Sequence, residues 1–274
     1  MSEATTGPLL LVGAGKMGGA ILEGWLRAGV PAASIHVVEP DAGRAAALHE
    51  AHGVVTATSL AAVPAELAPA ALMLAVKPQT MAAVGPEAAR LVAPETLVLS
   101  IAAGVTVAGF EAMLGPATSI VRCMPNTPAS VGRGVSVLFA NARVTAAQRA
   151  LAERLMNAVG ETLWIEDEEQ MHLVTALSGG GPAYVFLVIE ALAAAGERLG
   201  LPGELAERLA RLTVCGSGEL ARLSDAPAAR LRTDVTSPGG TTAEALRVLM
   251  AEDGLQPLLE RALAAAAARS RELG

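Results

Sequence analysis

The chain has 274 residues, of which 52% are hydrophobic and 17% charged, and its formal net charge is −7. This length can bury a large core, as one large or two ordinary domains. The negative charge, without a basic cluster, argues against nucleic acid or an anionic membrane surface as partner, and the two cysteines and four histidines show neither a disulfide framework nor metal-ligand spacing.

A nucleotide-binding fingerprint opens the chain. The apolar run Leu9–Val12 predicts a buried strand, the sequence Gly-Ala-Gly-Lys-Met-Gly follows it directly, and Ala20–Ala28 predicts a helix. The first glycine permits a sharp bend, the second lets backbone approach a pyrophosphate, and the third lets helix and strand pack closely. The expected cofactor contacts in this turn are Gly13, Gly15, Lys16, Met17 and Gly18. A glycine-rich turn without function is the alternative.

The second predicted strand, Ile35–Val38, ends at the acidic residue Glu39. An acid about 20 residues after such a fingerprint is typical of a site that binds the ribose hydroxyls of NAD. Glu39 should repel a 2′-phosphate and so favours NADH slightly over NADPH, whereas the nearby Arg44 would answer a phosphate if Glu39 turns away.

Apolar runs then alternate with helical stretches, which predicts a Rossmann-type, doubly wound parallel sheet with both faces covered. The further predicted strands are Ala71–Val76, Leu97–Ile101, Ser119–Arg122, Ser136–Ala140 and Glu161–Ile165. The helices between them are predicted at 43–51, 80–91, 107–114 and 146–159.

Ligands of open parallel sheets bind beyond the carboxyl ends of the strands. The residues that we expect there, as further cofactor contacts, are Val76, Lys77, Pro78, Ala102, Gly104 and Asn126. In this interpretation Lys77 contacts ribose or phosphate, and Asn126 contacts the nicotinamide amide. The sequence supports equally well the alternative that Lys77 is an exposed loop lysine without function.

The acidic run 166–169 marks a boundary and is interpreted as solvated charge at a helix start. We predict a dinucleotide-binding domain over 1–166 and a helical dimerisation and substrate domain over 167–274. The interior glycines Gly196 and Gly216 of its first two helices cost up to about 1 kcal/mol each unless close packing needs them. The apolar stretch 173–189 contains Gly179–Pro182, which is expected to prevent one membrane-spanning helix, and Met1–Pro8 lacks a signal-peptide pattern, so a cytoplasmic protein is expected.

A second glycine-rich turn, Pro238–Gly240, precedes a predicted helix over 243–250. Thr241 and Glu244 have the spacing of a capping box, in which Thr241 accepts from first-turn N–H groups. Thr242 would then be left with a spare hydroxyl beside N–H groups suited to an anion. A small acid would fit such a turn; a capped helix without function is the alternative.

Together, these motifs resemble those of the Δ1-pyrroline-5-carboxylate reductases, from Leu9 to about Leu259. The segments that carry the resemblance are Gly13–Gly18, Ala75–Pro78, Ser100–Val105, Arg122–Pro128, Leu177–Tyr184 and Val235–Thr242. The first segment is shared with many dehydrogenases, whereas the last three, in this order and spacing, are specific to the family.

The resemblance implies reduction of the cyclic imine of pyrroline-5-carboxylate to L-proline by NADH or NADPH, the last step of proline biosynthesis. It implies a homodimer through C-terminal helices, or a larger assembly, with the imino acid between the nicotinamide of one subunit and the glycine turn of its partner. It assigns to Thr242 a hydrogen bond with the imine nitrogen. The implied substrate-binding residues are Ser237, Gly239, Gly240 and Thr241.

Two positions depart from the family pattern. Arg232-Thr233 replaces a usual Lys-Asp pair, for which Asp234 is a candidate substitute, and Gly180 replaces a usual serine. Among rivals, a β-hydroxyacid dehydrogenase would carry a catalytic lysine in its second domain, but the only lysines are Lys16 and Lys77. A related imine reductase with another small substrate, or a non-catalytic NAD(P)-binding regulator, remains as an alternative.

Overall fold

A computed structural model describes residues 7–273 of the chain. An eight-stranded sheet has the strand order β3-β2-β1-β4-β5-β6-β7-β8. The strands are β1 (Leu9–Val12), β2 (Ile35–Val38), β3 (Val55–Ala57), β4 (Ala71–Leu74), β5 (Leu97–Ser100), β6 (Ser119–Met124), β7 (Gly134–Ala140) and β8 (Gly160–Trp164). The helices around it are α1 (Lys16–Arg27), α2 (Ala42–His52), α3 (Met81–Ala89), α4 (Val107–Leu114), α5 (Ala146–Asn157) and α6 (Gln170–Val174).

The prediction of a doubly wound sheet is confirmed, with two differences of detail. The short edge strand β3 was not predicted, because its three residues carry too little pattern to be told from a loop. Strands β1 to β6 run parallel, but β7 runs antiparallel to β6. The connection 125–133 is too short for the crossover of a dozen or more residues that a parallel partner needs.

Both faces of the sheet are buried. Leu9 and Leu11 of β1 belong to one apolar cluster together with Trp25 of α1, whereas the alternate residues Leu10 and Val12 belong to a second cluster on the other face. The indole N–H of Trp25 donates to the carbonyl of Leu155 at 2.9 Å, so that the largest core side chain keeps its polar atom satisfied.

Cys123 of β6 is an ordinary interior residue, as predicted. It is 3% exposed, and burial raises the pKa of its thiol to about 12. The thiolate is therefore scarce at neutral pH, and Cys123 is no nucleophile.

The chain divides into two compact units. The first unit consists of the chain up to Gly179 together with the C-terminal segment from Ala267 onward. The second unit is Gly180–Ala266. The helices of the second unit are α7 (Gly181–Arg198), α8 (Gly203–Leu223), α9 (Ala228–Asp234) and α10 (Thr241–Leu249), together with most of α11 (Leu255–Glu272). The predicted division of function at residue 166 stays a prediction.

Helices α7 and α8 pack together and leave apolar side chains uncovered. A Cβ on Gly196 would lie 3.3 Å from Leu201 and 3.4 Å from Ala206, so this glycine permits the close approach that its position predicted. At Gly216 no atom lies within 4 Å of such a Cβ, and close packing is not seen there within the described chain. Phe186 and Leu187 are 58% and 62% exposed, an apolar surface typical of an interface.

The expected break at Gly179–Pro182 is limited to a bend at Gly180. Helix α6 continues through a π-helical turn, Thr175–Gly179, and after Gly180 the chain enters α7. Pro182 stands in the first turn of α7, where its missing N–H removes no helical hydrogen bond. The run Gln170–Arg198 is long and apolar enough to cross a membrane by composition, but a single such helix is weak support for that role.

Candidate functional site: a nucleotide edge and an anion-binding turn

The first glycine turn has the geometry that its sequence predicts. Gly13 has φ +92°, and its N–H donates to the carbonyl of Val38 at 2.8 Å, which ties the end of β1 to β2. A Cβ on Gly18 would overlap the carbonyl oxygen of Gly13. The helix can therefore start directly against the strand only if this residue has no side chain.

The start of α1 suits a phosphate group. Its N-cap, Gly15, supplies no side-chain acceptor and its first turn contains no acid, so the leading N–H groups of Lys16 and Met17 are left for an outside acceptor. No atom lies within 4 Å of a Cβ built on Gly15. A cavity of about 560 Å³ borders the turn, and Lys16, Arg44, Ser130 and Glu23 line it with the turn residues.

These features fit the pyrophosphate of a dinucleotide: open space over Gly15, unsatisfied N–H groups and two cations. Ser130 was not anticipated by sequence analysis. It follows Asn126 in the proline-containing segment after β6, and that segment packs on α1. Within this segment, Asn126 was the residue predicted to contact the cofactor.

Glu39 is held beneath the turn. The residue is 5% exposed, and its carboxylate accepts from the backbone N–H of Ala14 at 3.2 Å and of Asp41 at 3.2 Å. The guanidinium of Arg44 lies 3.5 Å from the same carboxylate, with its side chain 55% exposed. Glu39 thus has a fixed orientation, while Arg44 can reorient toward solvent or a ligand.

The other predicted cofactor residues lie at the same edge of the sheet, because β1, β4, β5 and β6 are parallel and in register. Val76 and Pro78 are half-buried after β4, and Lys77 is exposed. Ala102 is buried after β5, where its N–H donates to the Ser100 hydroxyl at 3.2 Å. Gly104 has φ +82°, a conformation that favours glycine at this bend.

Asn126 is committed to the protein itself. Its Oδ1 accepts from the N–H of Val135 at 3.0 Å, and its Nδ2 donates to the carbonyl of Ser178 at 3.2 Å. It thereby joins the end of β6, the start of β7 and the π-helical turn. One Nδ2 hydrogen remains for a ligand, so a nicotinamide contact stays a prediction.

The second glycine turn differs from the predicted capping box. Helix α10 starts at Thr241, its N-cap is Gly240, and no side chain caps it. Glu244 forms an ion pair with Arg247 at 3.1 Å instead of reaching back. The capping-box prediction is therefore wrong, because the helix starts one residue earlier than predicted. Thr241 is its first helical residue, and Gly240 takes the N-cap position.

The consequence is a more open anion site. Thr241 and Thr242 occupy the first two helical positions, both are exposed, and within residues 7–273 neither hydroxyl makes a hydrogen bond. Gly239 has φ +70°, and the N–H of Gly240 donates to the carbonyl of Ser237 at 3.0 Å. The N–H groups of Thr241 and Thr242 and two hydroxyls are thus available at one helix end.

Helix α9, which carries the family departure Arg232-Thr233, has an ion pair of its own. Asp234 pairs with Arg230, one turn earlier, at 2.8 Å. The hydroxyl of Thr233 donates to the carbonyl of Ala229 at 3.0 Å. Both Thr233 and Asp234 therefore make their polar contacts within the helix before the turn.

The acidic run contains one residue that sequence analysis misjudged. Glu166 is exposed, as expected, but Glu168 is half-buried and binds Arg122 at 2.5 Å and the N–H of Val107 at 2.7 Å. The sequence gives no signal for this pair, since the partners lie 46 and 61 residues away.

Comparison with known proteins assigns both parts of the chain. Residues 9–104 match a family described as NADP oxidoreductase, coenzyme F420-dependent, and residues 168–273 match the pyrroline-5-carboxylate reductase dimerisation family. The chain is 44% identical to the pyrroline-5-carboxylate reductase of Pseudomonas aeruginosa, covering 98% of this chain and 97% of that protein. It is 39% identical to that of Pasteurella multocida, covering 97% of each.

Solved structures agree over the whole length. A pyrroline-5-carboxylate reductase from Coxiella burnetii has a TM-score of 0.92 at 39% identity and covers 98% of this chain and 99% of its own. The Plasmodium falciparum pyrroline carboxylate reductase, solved with NADP bound, has a TM-score of 0.82 at 30% identity and covers 99% of each chain.

Proposed function

The chain belongs to the pyrroline-5-carboxylate reductase family, and on that premise we propose that it reduces the imine of pyrroline-5-carboxylate to L-proline with a nicotinamide cofactor. The observation that carries the proposal is the uncapped start of α10, where two unbonded threonine hydroxyls stand beside free N–H groups. A cyclic imino acid has one carboxylate and one nitrogen, and this helix end offers a partner for each.

In the proposed site, Ser237, Gly239, Gly240 and Thr241 hold the substrate carboxylate in the turn. The N–H groups at the start of α10 attract its negative charge, which fixes the ring. The hydroxyl of Thr242 then makes a hydrogen bond with the imine nitrogen and orients it. Threonine is a poor acid at neutral pH, so its contribution is orientation, and solvent supplies the proton.

A bound nicotinamide supplies the hydride that the imine carbon receives. The chain's own task is to hold the two reactants in line, which is worth several kcal/mol of the barrier. We propose that Gly13, Gly15, Lys16, Met17 and Gly18 bind the pyrophosphate and that the loops after β4, β5 and β6 bind the nicotinamide half. The residues of those loops are Val76, Lys77, Pro78, Ala102, Gly104 and Asn126.

For the cofactor, we propose a slight preference for NADH. Glu39 is fixed by two backbone N–H groups, and its carboxylate would face a ribose 2′-phosphate at short range. Arg44 opposes this preference, because its mobile guanidinium can pair with a phosphate. The balance of these two side chains sets the ratio of the two activities.

We propose further that the C-terminal domain, 167–274, forms a homodimer or larger homo-oligomer in the cytoplasm and that the substrate turn serves the cofactor domain of the partner subunit. Mixing subunits with complementary defects tests this. When Thr242→Ala subunits and subunits with a disabled nucleotide turn are refolded together, activity should exceed the residual activity of the two parents by about a quarter of the wild-type value, since roughly half of random dimers are mixed and each holds one intact site. No regain would place turn and cofactor in one chain.

The direct test follows absorbance at the nicotinamide band with pyrroline-5-carboxylate and either NADH or NADPH. Oxidation of either cofactor with formation of proline supports the proposal, and the ratio of kcat/KM values measures the preference. Cofactor binding without turnover would refute it and favour another imine substrate or a regulator. The variant Glu244→Gln, beside the turn and paired with Arg247 on the exposed surface, is a matched control that should keep its activity.

A further inference from the structure

We propose that Glu168 is a positioning residue for hydride transfer, and this inference rests on the proposed function. Its carboxylate oxygen Oε1 accepts from the N–H of Val107 at 2.7 Å and from the guanidinium of Arg122 at 2.5 Å. These bonds attach the acid to the start of α4 and to β6. Both elements flank the sheet edge at which the nicotinamide half is proposed to bind.

The loop between β5 and α4, residues 101–106, is anchored at its two ends. At the strand end, the N–H of Ile101 donates to the carbonyl of Leu74 at 3.1 Å and that of Ala102 to the Ser100 hydroxyl at 3.2 Å. At the helix end, the Thr106 hydroxyl accepts from the N–H of Gly109 at 3.1 Å. The N–H of Val107 has no acceptor within the helix, and Glu168 is its acceptor.

The charge balance explains how the acid is held there. The Arg122 side chain is 5% exposed and that of Glu168 is 27% exposed. Their pairing means that neither charge is left unpaired away from solvent, which would be costly. Arg122 is buried within β6, a strand that pairs with β5 on one side and β7 on the other. Glu168 therefore links Arg122 in the sheet to Val107, the residue at which the loop 101–106 enters α4.

The strand order indicates which half of the cofactor lies beside the loop 101–106. In a doubly wound sheet the strands β1 to β3 bind one nucleotide and the strands β4 to β6 the other. Glu39, at the end of β2, marks the adenosine side, so the loop after β5 lies on the nicotinamide side. A shift of that loop changes the alignment of hydride donor and acceptor while leaving the pyrophosphate contacts in place.

A pair of variants separates position from charge. Glu168→Asp keeps the charge but is shorter by one C–C bond, about 1.5 Å, and loses reach to Val107. Glu168→Gln keeps the reach and the acceptor oxygen but loses the charge. We expect the Asp variant to lose about tenfold to a hundredfold in kcat, with a larger isotope effect from cofactor deuterated at C4, while the Gln variant stays within about threefold of wild type.

The cofactor Kd should change little in either variant, because the pyrophosphate turn is untouched. The controls are Glu169→Asp and Glu169→Gln, the same exchanges at an exposed neighbour, which should match wild type. Val107→Pro breaks the same hydrogen bond by removing its donor, the N–H of residue 107, and leaves the ion pair between Arg122 and Glu168 intact. Residue 107 is the first position of α4, which tolerates proline. Val107→Pro should reproduce the kinetics of the Asp variant, and it serves as the test if that variant does not fold.

A Gln variant slower than the Asp variant would overturn the proposal, because charge and not position would then matter. Activity that falls only with the folded fraction, at an unchanged isotope effect, would overturn it as well. Absence of turnover in the wild-type protein would instead refute the proposed function. Wild-type turnover with an equally fast Asp variant and an equally fast Val107→Pro variant would refute the role of Glu168 alone.

Discussion

Replacing Gly15 with alanine should separate cofactor binding from folding. The residue has φ −65° and ψ −164°, a conformation open to alanine, and no atom lies within 4 Å of the added Cβ. The folded protein should therefore be little changed in stability, because the reduced freedom of the unfolded chain, about 0.4–1 kcal/mol in favour of alanine, is offset by the poorer N-cap that alanine makes. The methyl group would occupy the space through which the pyrophosphate approaches the N–H groups of α1.

The expected loss in affinity follows from one charge-assisted hydrogen bond. Such a bond contributes about 1.5–3 kcal/mol, so the cofactor Kd should rise about tenfold to a hundredfold. Titration calorimetry with NADH and with NADPH measures the Kd, and urea unfolding measures the stability of the same preparations.

A second glycine of the same helix supplies the opposite control. A Cβ on Gly24 would lie 2.9 Å from the carbonyl oxygen of Ala158 and would overlap the side chain of Val159. Overpacking of this kind costs about 1–3 kcal/mol, against a gain of about 1 kcal/mol in helix propensity. Gly24→Ala should thus lower stability by up to about 2 kcal/mol and leave the cofactor Kd of the folded protein unchanged.

The result that would refute this reasoning is a Gly15→Ala protein that binds both cofactors as tightly as wild type. The pyrophosphate would then not pass over the turn, and the open space there would have another meaning. A Gly15→Ala protein that loses more than about 2 kcal/mol of stability, beyond the effect of a poorer N-cap, would show instead that the turn tolerates no side chain for reasons of packing.

Three further predictions concern single residues. Thr242→Ala should lower kcat/KM by about fivefold to 150-fold, because one hydrogen bond of about 1–3 kcal/mol is lost in the transition state while folding is unchanged. Steady-state rates at equal active-site concentration measure this loss. An unchanged kcat/KM would remove Thr242 from the mechanism. Glu39→Gln should shift the NADPH/NADH ratio of kcat/KM toward NADPH, because the 2′-phosphate no longer faces a carboxylate while Arg44 remains; a ratio that does not move would show that Glu39 does not read the ribose. Burial lowers the pKa of His36 below its ordinary value of 6.5, so the unfolded chain binds a proton more readily. The stability that the neutral ring contributes is complete above pH 6.5 and is lost as the pH falls from there toward the lowered pKa. His36→Gln should flatten this part of the pH dependence of urea unfolding, and an identical slope in both proteins would contradict it.

The sequence by itself determined the features that depend on local pattern. The strand, glycine turn and helix at the start of the chain were predictable because an apolar run and three glycines impose that geometry on any chain. Helix α4 was predicted with the bounds that the structure shows, Val107–Leu114. The family resemblance likewise rests on motif order, which needs no coordinates.

Tertiary structure decided what distant segments do to one another. Whether Glu39 faces the ribose or the turn depends on Ala14, 25 residues earlier, and Glu168 is held in a half-buried position because Arg122 of β6, 46 residues earlier, pairs with it. The start of α10 at Thr241 depends on how the glycine turn delivers the chain to the helix. In each case a short polar pattern fits two local geometries, and packing against residues far away in sequence selects one of them.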